Sequence, residues 1–207
     1  MTAGIHTECG YTVLSQPYVP EWNRWHNTCG TCNARSVTWD RPRDACTNCG
    51  GSLTAVLEKA VLDLEVRCAR APRSFLDVAI HHSVPGDGPR LSAAAQHPGA
   101  VNREAESEKR RRYPDGRAPW RVVPFALETY GRLGPSASKH LRQLARARAE
   151  ELPEGGSDAV ASALLQRWGA QLSCALHRSN AERVRSALGE SEVAKLCGQD
   201  LASEPAR

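Results

Sequence analysis

Two Cys-x-x-C knuckles set the strongest local constraint on this chain. Cys29-Gly-Thr-Cys32 is followed, after thirteen residues, by Cys46-Thr-Asn-Cys49-Gly-Gly. Four thiolates at this separation can surround one Zn²⁺ tetrahedrally, and adjacent glycines permit tight knuckle turns. Between the knuckles, Ser36 to Trp39 is β-prone and reads as a ribbon strand. Two disulfides or a thioredoxin-like redox pair are the alternatives. No basic, apolar leader opens the chain and no stretch approaches a membrane span. The expectation is therefore a nuclear or cytoplasmic protein, not secreted, where disulfides are uncommon. The redox pair lacks a βαβ setting. A structural zinc ribbon over residues 1–52 is the reading the spacing favours.

The next constraint is a pair of alternating segments. In Val61-Leu-Asp-Leu-Glu-Val66, the residues Leu62, Leu64 and Val66 face one way. In Ser74-Phe-Leu-Asp-Val-Ala-Ile80, Leu76, Val78 and Ile80 form the apolar row. The link Arg67 to Arg73 is polar and contains Pro72, which suits a hairpin loop. Folding symmetrically about Arg70 sets Leu64 opposite Leu76, Leu62 opposite Val78, and Asp63 opposite Asp77. Leu62, Leu64, Leu76, Val78 and Ile80 are expected to be buried together. Opposed carboxylates on paired strands repel unless they share a proton or a cation. Two carboxylates suit Mg²⁺ or Mn²⁺. The alternative is an asymmetric loop with both aspartates simply facing solvent.

The rest of the chain reads as follows. Residues 1–28 show little periodicity and are expected to be irregular, with His6, Cys9 and His26 as stray ligand types. A turn-rich loop at Val84 to Arg90 leads to a helix over 100–113. Asn102 is its expected cap, Glu104 and Glu106 sit in the first turn, and Lys109 to Arg112 fill the last. A strand near Val122 to Leu127 contains Pro124, which confines it to an edge or a bulge. Helices are expected at 136–151 and, after a linker at Leu152 to Gly156, along the stripe Val160, Leu164, Trp168, Leu172 and Leu176. Shorter helical pieces follow at 180–188 and 191–197. Cys68, Cys174 and Cys197 are isolated and read as packed or exposed thiols.

The net charge of +4 and the dominance of arginine over lysine permit a nucleic-acid partner. Arg110, Arg111, Arg112, Arg142 and Arg146 are candidates for tracking a phosphate backbone, with a solvated face as the equal alternative. The fold class expected is α+β. A small zinc ribbon would precede a short mixed or antiparallel sheet flanked by helices (53–151), with a helical C-terminal tail (152–207).

The order of these segments, from the two aspartate strands through Lys109-Arg-Arg-Arg-Tyr113 to Val123-Pro-Phe-Ala-Leu-Glu-Thr-Tyr-Gly-Arg-Leu-Gly134, resembles a known family. It is similar to the restriction-like endonuclease region that closes the reverse transcriptases of site-specific non-LTR retrotransposons, a branch of the PD-(D/E)XK superfamily. The resemblance covers roughly residues 53–188. It implies divalent-metal-dependent cleavage of DNA, with RNA as a further partner class. Asp63 and Asp77 would carry the metal. Lys109 and Tyr113 match the helical Lys-x-x-x-Tyr, and Glu65 and Glu128 are secondary candidates. Leu62 stands where the superfamily usually has proline, and Ala79 where it has the strand lysine. A non-catalytic zinc-ribbon module, binding nucleic acid or protein as a relic of such a C-terminus, is the alternative.

Overall fold

The structure is a computed structural model and describes residues 5–6, 12–84, 86, 88–117, 119–152 and 156–188. In chain order its elements are β1 (Ile5–His6), β2 (Thr12–Ser15), a 3₁₀ turn at Pro20–Trp22, β3 (Arg24–Cys29), β4 (Arg35–Thr38), β5 (Leu53–Glu58), β6 (Leu64–Cys68) and β7 (Ala71–His81). Then come α1 (Gly88–Gln96), α2 (Ala100–Arg112), β8 (Arg121–Glu128), α3 (Pro135–Glu151) and α4 (Asp158–Leu188). The class is α+β. A three-stranded antiparallel sheet in the order β4-β3-β5 bears the cysteine knuckles. A five-stranded mixed sheet in the order β1-β2-β6-β7-β8 carries the helices.

The hairpin forms in the register that symmetry about Arg70 requires: Leu64 pairs with Leu76, Glu65 with Phe75 and Val66 with Ser74. A bulge after Val66 tightens the turn to Ala69-Arg70, so the strands run further into the link than its polarity suggests. At the other end β6 begins at Leu64 and not at Val61. Residues 60–63 turn to the N-terminal segment, with Gln16 N donating to Asp63 O and Val19 N to Ala60 O. This contact also orders part of the N-terminal segment expected to be irregular, where the described residues include the strands Thr12–Ser15 and Arg24–Cys29. Thr12–Ser15 is too short to show a period, yet it pairs along Leu64 to Arg67.

That divergence splits the expected apolar row. Leu64, Val66, Leu76 and Val78 do share one face, packed on Leu141 and Leu144 of α3 and Leu172 and Leu176 of α4. Leu62 crosses to the opposite face and is buried with Val19, Trp22, Phe75, Tyr113 and Val122. Ile80 shares the face of Leu64 and Val78 but stays 54% exposed. Strand β8 runs parallel to β7 on the sheet's outer edge, where Pro124 needs no second neighbour.

Helix α2 spans the expected residues and ends in Lys109 to Arg112. Its N-terminus has no side-chain cap. Asn102 is fully buried and donates to Arg132 O at 3.0 Å. Glu106 is also buried and turns toward α3, where it accepts from Ser136 N at 2.8 Å and meets Arg110 at 3.1 Å. The carboxylate thus satisfies a free N–H in the first turn of α3, where negative charge is favoured. The approach requires glycine at 134: a Cβ there would lie 2.2 Å from Glu106 Oε1. Helix α4 runs unbroken through the expected junction near Asn180, whose side chain donates to Thr129 O at 2.9 Å. Helix α1 interrupts the expected loop and buries none of its side chains. The helix expected at 191–197, Cys9, Cys197 and the centre of the 152–156 linker lie outside the described residues.

Candidate metal centre and carboxylate–lysine site

The four knuckle cysteines converge. Their sulfurs all lie within 4.8 Å of one another, with Cys29 and Cys49 at 3.5 Å and Cys32 and Cys46 at 3.6 Å. Tetrahedral zinc with bonds of about 2.3 Å needs sulfurs about 3.8 Å apart, so the donor set fits such an ion. The backbone is arranged for thiolates. Thr31 N and Cys32 N donate to Cys29 Sγ, and Asn48 N donates to Cys46 Sγ. The amides of Cys32 and Thr31 hold the Cys29 thiol below its ordinary range, and the Ala34 amide with the Asn48 side chain brings Cys32 down to about 6. Against the Gly51 amide, the neighbouring Cys32 and Cys29 sulfurs push Cys49 up to about 12, so the fourth thiolate waits on the cation. Sequence reading places both knuckle turns on glycines. Only the second uses one: Gly50 takes φ +72°, whereas Asn33 supplies the left-handed residue after the first knuckle.

The sheet face under α2 carries the second constellation. Asp63 lies near Asp77 but outside the hairpin ladder, which ends at Leu64–Leu76. Its N–H donates to Leu76 O at 3.1 Å, and its Oδ2 accepts from Val78 N at 2.6 Å. The carboxylate thereby replaces the next ladder residue where β6 turns away, which brackets Asp77 and brings the two acids together. Asp63 is exposed, whereas Asp77 is 8% exposed. Lys109 Nζ reaches Asp77 Oδ1 at 2.5 Å, while Asp77 Oδ2 is buried with no partner among the described residues. Burial lifts the Asp77 carboxyl above its ordinary range. Lys109 opposes that lift, and the nearby Asp63 adds to it.

Tyr113 is buried beside this pair. Burial first, and then the Asp77 charge, push its phenol up. Glu65 is on the same sheet face but is already engaged. Burial works against its ionisation, yet Arg67 Nε and Arg73 Nε, each 2.5 Å from Oε1, hold its carboxyl below the usual range. Glu128 is buried two pleats beyond Asp77, with Arg132 Nε at 3.4 Å. The candidate basic residues separate by occupation. Arg110 is tied to Glu106 and Ser136, and Arg112 to Glu58 at 2.7 Å, leaving Arg111, Arg142 and Arg146 exposed.

Glu58 gives no sign of its role in the sequence. It closes β5 and gathers Arg24 at 2.6 Å, His26 at 2.7 Å and Arg112, and Arg24 leads in pulling its carboxyl down to about 2. It links the cysteine-bearing sheet to the end of α2, one residue before Tyr113. A second tie is Trp39, over which the guanidiniums of Arg117 and Arg24 sit at 4.5 and 5.8 Å. Among the described residues, no helix is long and apolar enough to cross a membrane. No protein-family model matches the chain, and no curated protein or solved structure matches it.

Proposed function

We propose that the chain is a zinc-ribbon-bearing, restriction-like endonuclease that cleaves DNA with Mg²⁺ or Mn²⁺. The observation that carries this reading is Asp77 Oδ2, a buried and unpartnered carboxylate oxygen beside a second carboxylate and a lysine. A fold gains nothing in stability by burying such an acceptor, so the arrangement fits a site kept open for a cation. Mg²⁺ accepts one or two carboxylates and fills its remaining positions with water, and Asp63 and Asp77 supply that number. An ion held there would polarise a phosphodiester and acidify an attacking water.

The protein groups have separable tasks. Asp63 is fixed by Val78 N, so its second oxygen is presented without a rotamer search. Lys109 is 23% exposed along its side chain and can swing from Asp77 to charge developing on a phosphate. Tyr113 stays neutral and can donate a hydrogen bond. The four cysteines would hold structural Zn²⁺, with Glu58 and Trp39 transmitting its order to α2.

A second reading keeps the ribbon as a binding module without chemistry. It draws on one observation: Lys109 and Asp77 already satisfy each other in part within the fold. Nicking of supercoiled plasmid with Mg²⁺ or Mn²⁺ separates the two. Cleavage by the wild-type protein, lost in Asp77→Ala and strongly slowed in Lys109→Ala with DNA binding retained, is the expected result. Absent nicking, or nicking equal in all three, rejects the enzyme.

A further inference from the structure

Away from the carboxylates, the N-terminal ends of β7 and β8 open into a cleft of about 610 Å³ between the hairpin turn, the segment before β8 and one face of α3. Arg70, Arg121 and Arg146 enter it from these three elements. Their charges are barely used. Arg70 Nη1 donates to a backbone carbonyl, Glu150 O, at 3.3 Å, and Arg121 Nη2 to the neutral Gln143 Oε1 at 2.9 Å. Neither hydrogen bond nor ion pair engages Arg146 among the described residues. A guanidinium offers five N–H donors, so most of those in this cleft are unspent.

The wall of the cleft is partly aromatic. Arg73 is neutralised by Glu65 and lies over the rings of Phe75 and Trp120, 4.8 and 4.5 Å from their centroids. Trp120 lines the cleft, and its indole Nε1 is buried with no acceptor among the described residues. Asp115 and Glu150 stand in the lining as well. The donors therefore outweigh the acids only modestly, which selects an anion that reaches the guanidiniums closely rather than a diffuse negative surface. Arginine forks matched to an oxyanion, with an aromatic wall, have the composition of a phosphate-binding subsite.

We propose that this cleft binds a backbone phosphate of the nucleic-acid strand, through Arg70, Arg121 and Arg146. The inference rests on the nucleic-acid reading above but uses residues outside the Asp63–Asp77–Lys109 site. It also shifts the phosphate contacts away from Arg110 and Arg112, whose charges are spent inside the fold.

The test is equilibrium binding of a fluorescent 20-residue DNA oligonucleotide across a salt series, using the full chain with its metal. Each phosphate contact contributes about 0.7–0.9 to the slope of log K against log salt. Arg121→Gln/Arg146→Gln should lower that slope by about one to two and weaken binding at low salt about tenfold or more. Arg167→Gln/Arg178→Gln removes the same charge from the exposed side of α4 and should leave the slope within about half a unit. Glu150→Gln should tighten binding. Equal slopes for the two double variants, both folded by circular dichroism, overturn the inference, as does binding by Glu150→Gln no tighter than that of wild type. Cleft-dependent binding without any nicking would reject the endonuclease and leave this subsite standing. Nicking with cleft-independent binding would do the reverse.

Discussion

The Asp77–Lys109 bridge should respond with opposite signs to the loss of its two partners. Asp77 is 8% exposed, and burial outweighs Lys109 in setting its proton affinity above the ordinary carboxylate range. Sign follows from linkage: a carboxyl that binds its proton more tightly when folded stabilises the fold fully below its unfolded pKa. That contribution is lost as pH rises through the folded value. Ionising Asp77 as pH rises thus costs stability, a cost that Lys109 partly offsets. Lys109→Ala leaves a buried carboxylate facing only Asp63 and the more distant Arg112. Breaking a buried pair costs about 3–5 kcal/mol, and the partial exposure of Lys109 reduces this to about 2–3 kcal/mol. In a chain of this size the melting temperature should fall by about 5–10 °C. Asp77→Asn removes the buried charge while Lys109 retains water through its flexible stem, so stability should stay level or rise by about 1 kcal/mol. Urea unfolding at pH 7.5 reads both variants. Repeating it in acid, near pH 4, should shrink the Lys109→Ala deficit, because the raised Asp77 carboxyl takes up its proton as pH falls. A loss of more than about 1 kcal/mol in Asp77→Asn at pH 7.5, or a Lys109→Ala deficit that does not narrow in acid, would refute the reasoning.

The cysteine quartet predicts one zinc per chain in freshly purified, reduced protein, and chelation should unfold residues 29–50 and change the fluorescence of Trp39; metal analysis finding none, with no response to chelator, would contradict it. His140 is 4% exposed, and burial, with Arg121 adding to it, depresses its imidazole to about 4. A depressed histidine favours the fold above its unfolded pKa of about 6.5 and loses that contribution as pH falls toward the folded value, so moving from pH 7 to 4.5 should cost about 2–3 kcal/mol. His140→Gln should lack that increment in paired urea titrations, and an unchanged pH dependence would count against a buried neutral imidazole.

Much of this architecture is legible in short-range pattern. Two Cys-x-x-C knuckles carry their own geometry, since four soft donors at that spacing have few other ways to be satisfied. Period-two alternation with a polar seven-residue link places Leu64 against Leu76. Proline at 124 and the basic run at 109–112 announce an edge strand and a helix end for local reasons of hydrogen bonding and dipole. Other features depend on contacts between residues far apart in sequence. The N-terminal segment pairs with residues 60–67, which draws β6 away at Asp63 and sends Leu62 into the Trp22–Phe75 core. Leu53–Glu58 joins the knuckle sheet because Arg24–Cys29 offers it an edge. Glu106 looks like a first-turn acid of its own helix, and only the packing of α3 against α2 makes it the acceptor for another. Glu65 resembles a metal ligand until Arg67 and Arg73 close on it. Alternation and spacing report which way a side chain faces along its own element. Which partner it meets there, and whether a buried charge is spent or left open as at Asp77 Oδ2, is decided by which surfaces the packed chain brings together.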